Sequence, residues 1–408
     1  MGCKKIIKKR KYYGYVYTLM KKVVSAASTS GGQHLRERVR EIREDSVEHM
    51  EEYLGMFVEN AVKNGMHVHR AENAETARKI LKEIVDGKKA VKSKTNVGKE
   101  IKITEAVNAV ETDTGDFVAG MLGDSGHPIL PALGIAVKDV AEALAENYGM
   151  DVPPEPAQVV AAIREILRKK ILSAEVGITG ANVLTADGEI FIVENEGNVA
   201  LASHVPEVHV VVTSIEKVVK DSVHAMLVCK ALSLFGTGQK FPTYVNIISG
   251  PSKTADVGGE TVSPAQGPKE VHVVLLDNGR SELLRSQYRE ILRCINCGAC
   301  LSVCPVFHTL GKKYGFEHCG SRGIILQRFQ KPLERIFEKA FYCTGCGACK
   351  GVCPAGVDLP GLVRRLRAEL HEKGMQTESN AEMIKNVMEG GDTFGGKKMG
   401  SDSGFYCC

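Results

Sequence analysis

Tryptophan is absent from the sequence, and phenylalanine and tyrosine together make up only 6% of it. With a formal net charge of just +4 over 408 residues, the chain has neither the aromatic platforms nor the strongly basic face that a nucleic-acid binder uses. Long apolar runs are also missing: none reaches the roughly 18 residues that a membrane-spanning helix needs. The first thirty residues break up their apolar positions with Lys4, Lys5, Lys8, Lys9, Arg10, Lys11, Lys21 and Lys22, which is not the pattern of a secretory signal. A myristoylation signal is excluded too, because Ile6 stands where Ser or Thr is required. These absences point to a cytoplasmic protein with no transmembrane segment, for which a peripheral position at a membrane stays open. Before residue 294 cysteine is nearly absent as well, with only Cys3 and Cys229. That excludes a disulfide framework spread along the chain.

What is present is size, alternation and a concentrated store of thiols. The length fits two or three domains. Residues 1–33 form a basic extension that carries Tyr12, Tyr13, Tyr15 and Tyr17. It reads as a disordered extension in preference to a patch for an anionic surface or a partner. From His34 to Asn64 apolar residues recur at helical spacing (Leu35, Val39, Ile42, Val47, Met50, Leu54, Phe57, Ala61), predicting a long helix, broken at most once, that stops at Gly65. A strand at Met66 to Val68, a helix at Ala74 to Val85 and a strand from Ala90 then begin an α/β alternation. Helices are predicted at Val137 to Tyr148 and Ala157 to Ser173, and strands at Glu175–Thr179, Val183–Ala186, Ile190–Glu194, His209–Val212 and Val271–Leu276. One α/β unit with its N-terminal helix covers 34–280, a cysteine-rich helical module 281–373 and a flexible tail 374–408.

Eight of the thirteen cysteines fall into two runs, Cys294, Cys297, Cys300 and Cys304 before Pro305, and Cys343, Cys346, Cys349 and Cys353 before Pro354. Both have the C-x2-C-x2-C-x3-C-P spacing of bacterial two-cluster ferredoxins, in which the fourth cysteine of each run ligates the other cluster. The expected sets are Cys294, Cys297, Cys300 and Cys353 for one [4Fe-4S] cluster, and Cys343, Cys346, Cys349 and Cys304 for the other. Zinc is the competing reading, but zinc has no use for two sets of four thiolates that each end in Cys-Pro. Cys319, with His308 and His318 beside it, reads as a small buried residue before a redox thiol or substitute ligand. Cys407 and Cys408 read as part of an unstructured end.

Several strings resemble the lactate-utilisation (LUD) domain: Val176–Asn182 (VGITGAN), Ile192–Asn198 (IVENEGN), Ser249–Pro251 and Glu270–Arg280 (EVHVVLLDNGR). They precede Arg293–Cys300 (RCINCGAC) as they do in the iron-sulfur lactate-utilisation proteins of the LutB/LldF type. The resemblance implies a NagB/RpiA/CoA-transferase-like α/β LUD domain followed by an α-helical ferredoxin domain. It also implies membership of a multi-subunit oxidoreductase that oxidises lactate, or a related 2-hydroxy acid, to pyruvate. Two features depart from the family: the basic start, and the lack of the long C-terminal extension of the bacterial proteins.

Read from the residues themselves, the LUD strings place a Gly-rich turn (Gly177, Gly180) and an acidic loop (Glu194, Glu196, Gly197, Asn198) at strand ends. There Glu194 or Glu196 either meets a substrate or accepts backbone hydrogen bonds. His204, His209 and His272 lie nearby in sequence and receive no catalytic role. No dinucleotide fingerprint or phosphate loop occurs, so a flavin or NAD belongs on a partner. The expected function is therefore electron transfer between other oxidoreductase subunits, such as flavin or CCG-domain proteins, and an acceptor protein or quinone, with no substrate chemistry of its own. Two alternatives remain: a LUD domain that is itself an acyl- or sugar-phosphate-handling enzyme, and a subunit of a heterodisulfide-reductase-like complex, which the Cys343 to Leu359 string also resembles.

Overall fold

The computed structural model describes residues 17–395, apart from 19, 124–131 and 133. Its centre is a six-stranded sheet in the order β1-β10-β7-β4-β2-β3, built from β1 (His67–Ala71), β2 (Ala90–Lys92), β3 (Ala109–Glu111), β4 (Val176–Gly180), β7 (Val208–Ser214) and β10 (Glu270–Leu276). Every pairing in it is parallel. Parallel strands need crossovers that cover both faces, which is why β7 is buried along its whole length and β10 along most of it, instead of alternating between buried and exposed positions. A second sheet, in the order β8-β5-β6-β9, uses β5 (Val183–Thr185), β6 (Ile190–Glu194), β8 (Val218–Val219) and β9 (Tyr244–Ile248). Short helices carry the chain from Arg280 through the cysteine runs to the helix Leu359–Glu372.

The long N-terminal helix is two helices, Ser30–Glu48 and Met50–Lys63, parted at His49. Residues 20–28 are also helical, and Val23 and Ala27 are buried in the same apolar cluster as Val39, Val228 and Phe235. That part of the basic extension is therefore structured, because its few apolar residues find a helix face to cover. The helix Ser222–Thr237 and the strand β9 were not expected from the sequence. Between the cysteine runs stand two helices, Gly320–Leu326 and Leu333–Ala340, with Pro332 at the N-cap of the second. In the stretch read as a flexible tail, the helix Glu378–Gly390 starts where the Thr377 side chain accepts from the Asn380 amide, and it buries no residue. Cys407, Cys408 and the tyrosines before Tyr17 lie outside the described residues.

The α/β unit and the cysteine module share one apolar core: Phe57, Val271, Leu275, Leu292, Ile325 and Leu362 belong to a single buried cluster. A buried ion network also crosses the boundary. Arg280, just after β10, donates through Nε to Glu216 Oε2 (2.6 Å) and through Nη2 to Glu100 Oε2 (2.8 Å). The His318 Nε2 of the cysteine module lies 2.7 Å from the same Glu100 oxygen. Arg280 and Glu100 are each 1% exposed at the side chain, so neither charge has water as an alternative partner. Arg280 holds the Glu100 carboxyl well below its ordinary range against the opposing effect of burial. Arg43 adds a second clamp, donating to the carbonyls of Val218 and Glu216 on one side and of Leu292 and Arg293 on the other.

Removing one member of such a network strands the others in low dielectric. Arg280→Met is expected to cost about 3–5 kcal/mol in denaturant unfolding, far more than loss of an exposed pair such as Arg285–Glu51. A pH effect follows from His209, fully buried in β7 with its Nε2 2.8 Å from Thr179 Oγ1. Burial pushes its pKa from 6.5 down to about 3. The folded chain therefore refuses a proton that the unfolded chain accepts, so stability is full above pH 6.5 and declines as pH falls toward 3. Unfolding midpoints at pH 7.5 and pH 5 should show this decline, and His209→Gln should flatten it.

Candidate iron-sulfur site and the adjoining cleft

The two cysteine loops fold alike because they repeat the same backbone demands. In the first, Asn296 and Gly298 have positive φ (66° and 79°); in the second, Gly345 and Gly347 occupy the same offsets (71° and 80°). Each loop then starts a short helix, Ala299–Ser302 or Ala348–Val352, so that three thiols curl around a common centre. Cys304 and Cys353 stand at the next turn, each before a proline.

The fourth cysteines cross over. Cys353 lines one small cavity with Cys294, Cys297 and Cys300, beside Ile291, Arg322 and Leu359. Cys304 lies in the electrostatic reach of Cys343 and Cys346, and Cys349 in that of Cys343, Cys304 and Cys346. The structure thus brings Cys353 beside the first run and Cys304 beside the second.

Burial, reinforced by neighbouring thiols, pushes the Cys349 thiol up to about 12 and the Cys353 thiol up to about 11, and raises Cys297 and Cys300 as well. Four such sulfurs at one point cannot all ionise unless a cationic centre sits among them, and iron supplies that charge. Backbone amides already point at sulfur: Asn296 N to Cys294, Phe307 N to Cys304, Gly345 N to Cys343 and Val357 N to Cys353, each at 3.4 Å. The donor set and its surroundings fit two iron-sulfur cubanes.

The two groups differ in setting. The first loop packs against the α/β unit, where a Cβ at Gly236 would stand 3.0 Å from the Cys297 carbonyl. Arg322 Nε donates to Cys294 Sγ at 3.0 Å, and its Nη1 lies 3.2 Å from His318 Nδ1, which joins this sulfur to the Glu100–Arg280–Glu216 network. The second loop faces outward, with Thr344, Gly345 and Cys346 exposed.

Beside the first loop opens a cleft of about 370 Å³. It is lined by Gly180 and Asn182, by Glu194, Glu196 and Asn198, by Lys217, and by Asn296 and Cys297. Both Gly- and acid-rich LUD strings therefore converge on the cluster loop. Glu194 accepts from the amides of Val199 and Ala200 and from Asn246 Nδ2, so it caps a helix and braces β9. Glu196 accepts from the amide and hydroxyl of Thr114 (3.1 and 2.8 Å), and burial raises its pKa. Sequence reasoning missed Lys217, whose ammonium donates to the Ala181 carbonyl (2.6 Å) and which burial pushes down to about 8. It also missed Arg322, Arg280 and Glu100, which carry no local signal of their own. Cys319 is buried, and burial raises its thiol. His204 Nδ1 is bonded to the Ala200 carbonyl of its own helix, away from the cleft.

This geometry defines a dicluster iron-sulfur protein, and the comparisons agree: residues 290–357 match the 4Fe-4S dicluster domain, so the chain carries two [4Fe-4S] clusters. Residues 54–276 match the LUD domain, and the chain belongs to the LUD domain family. It is 33% identical over 318 residues to lactate utilization protein B of Bacillus subtilis, covering 75% of this chain and 65% of that one. With the lactate utilization protein B of Shouchella clausii it shares 36% over 303 residues, covering 71% and 62%. With the uncharacterized electron transport protein YkgF of Escherichia coli it shares 30% over 361 residues, covering 86% and 74%. The chain thus spans about 65% of the length of the Bacillus subtilis relative. Among the described residues no helix is long and apolar enough to cross a membrane.

The Arg322 guanidinium places positive charge and an N–H against a cluster sulfur, which favours the reduced, more negative cluster. Arg322→Leu is expected to lower the midpoint potential of one cluster and leave the other nearly unmoved. An EPR-monitored redox titration reads both in one sample.

Proposed function

We propose that this chain is the iron-sulfur electron-transfer subunit of a multi-subunit oxidoreductase that oxidises lactate, or a related 2-hydroxy acid, to pyruvate. The observation that carries the reading is the unequal setting of two adjacent thiol groups. One is packed against the LUD domain and its cleft, while the other is presented at the surface. Such a pair takes electrons in at one end and delivers them one at a time to a docked partner at the other. The names of the relatives, lactate utilization protein B and an electron transport protein, support this role. In this reading Cys294, Cys297, Cys300 and Cys353 hold the inner cluster, and Cys343, Cys346, Cys349 and Cys304 the outer one. The clusters supply the redox chemistry. The chain fixes their spacing, directs amides and Arg322 at their sulfurs, and excludes water from the inner one.

The domain plan that goes with it is a basic extension over 1–33, a LUD domain with its N-terminal helix over 34–280, a ferredoxin module over 281–373 and a tail over 374–408. A second reading, in which the LUD domain itself handles an acyl or phosphorylated substrate, is favoured only by the cleft and Lys217. Activity of a protein lacking both clusters would favour it.

Anaerobic purification with iron and sulfide analysis should give about eight of each per chain. Cys304→Ser should damage the outer cluster and spare the EPR signal of the inner one, and Cys353→Ser should do the reverse. The opposite pattern would overturn the crossed ligand sets, and stoichiometric zinc without sulfide would overturn the electron-transfer reading itself.

A further inference from the structure

At the beginning of the strands, the opposite end of the sheet from Arg280, four side chains stand on one face of two neighbouring strands. His67 of β1 is the register partner of His272 of β10. His69 and Glu270 lie two residues along on each strand, which returns them to the same face. His272 Nε2 is 3.0 Å from Glu270 Oε2, its Nδ1 is 3.1 Å from His69 Nε2, and its ring stacks on that of His67 with centroids 4.8 Å apart. Ligating atoms of His67, Glu270 and His272 all fall within 4.8 Å of one another.

From these positions we infer that His67, Glu270 and His272 form a binding site for a divalent first-row transition metal, distinct from the iron-sulfur clusters. Two imidazoles and one carboxylate are the donor set that zinc and ferrous iron share. Donors about 2.1 Å from an ion and at right angles around it stand about 3.0 Å apart, the separation seen between His272 Nε2 and Glu270 Oε2. His69 completes the arrangement from behind. When Nε2 of His272 holds the ion, Nδ1 carries the proton and donates it to His69, which fixes the tautomer and ring direction. The charged neighbours are Glu83 and Lys88, of opposite sign.

His67 and Glu270 are exposed, which leaves a coordination position open to water or to a partner. Because β1 is the edge strand of the sheet, an ion there would clamp that edge to β10.

Zinc is the probe that leaves the iron count readable. Holoprotein with its full iron and sulfide is incubated anaerobically with equimolar zinc chloride, desalted and analysed for all three elements, and its melting temperature is recorded with and without zinc. Expected are retention of about one zinc per chain at unchanged iron and sulfide, and a zinc-dependent rise in melting temperature. His67→Ala and Glu270→Gln, both at exposed positions, should each cut retention at least tenfold and abolish the rise. Absence of retained zinc in the unaltered protein overturns the site. So does zinc uptake matched by loss of iron, or undiminished retention in both variants, since zinc would then sit on thiols or elsewhere.

Discussion

The contact on which the rest of the molecule depends is the buried line of charge from Glu216 through Arg280 and Glu100 to His318 and Arg322, ending on the sulfur of Cys294. Without Arg280 the carboxylates of Glu100 and Glu216 lose the cation that both bind in the interior, so the network fixes one docking geometry more strictly than apolar packing alone would. Its members come from both parts of the chain: Glu100, Glu216 and Arg280 from the LUD unit, His318 and Arg322 from the cysteine module. The inner cysteine loop is thereby held against the sheet end from which Arg280 emerges. Apolar burial supplies most of the adhesion, as the shared core shows, and the ions supply the registration.

That docking gives a structural role to the strings that resemble the LUD domain. The Asp277–Arg280 turn delivers a guanidinium into the interface, and Asn278, at a φ of 48°, adds a bond from its amide to the same Glu100. The acidic loop Glu194–Asn198 acts largely as framework: Glu194 caps the helix Asn198–His204, and Glu196 ties the loop to Thr114. These bonds put the amides and side chains of the loop at the rim of a cleft whose far wall is the Asn296–Cys297 segment. The carboxylates thus shape the cleft by being used elsewhere.

Much of this was legible in the sequence, and for a reason. Cysteine spacing encodes cluster geometry directly, since two intervening residues with a left-handed backbone at one of them set both the curl of the loop and the ligand count. Helices such as Ala74–Val85 and Val137–Tyr148 carried both periodicity and stop signals, so their ends were readable. The helix Ser222–Thr237 was missed because it is apolar on nearly all sides, being packed between the second sheet and the cluster loop, and such a helix has no polar face to reveal its period. The helix at 20–28 was missed because it buries only Val23 and Ala27, with Lys21 and Lys22 directly before them. Arg280, Glu100 and Arg322 were illegible for a different reason. A buried ion network is a property of three-dimensional neighbours almost two hundred positions apart, and each member alone looks like an ordinary surface charge. The His67–His272 pairing likewise emerges only from the register of β1 on β10.

The same architecture gives the two thiol groups unlike surroundings. Around the inner thiols the protein has placed a helix at backbone contact distance, a guanidinium on sulfur and a polar cleft. Around the outer thiols it has placed two backbone amides and the edge of the shared core, and Cys346 meets solvent. A desolvated site with fixed donors holds its potential constant against changes in the medium, whereas an exposed one takes on the dielectric of whatever docks there. In the proposed function, the inner cluster is then tuned by the chain and the outer one by whatever docks over it. On that proposal, an acceptor covering the Cys343–Cys349 loop would shift the outer potential only while bound, and onward transfer would be conditional on docking.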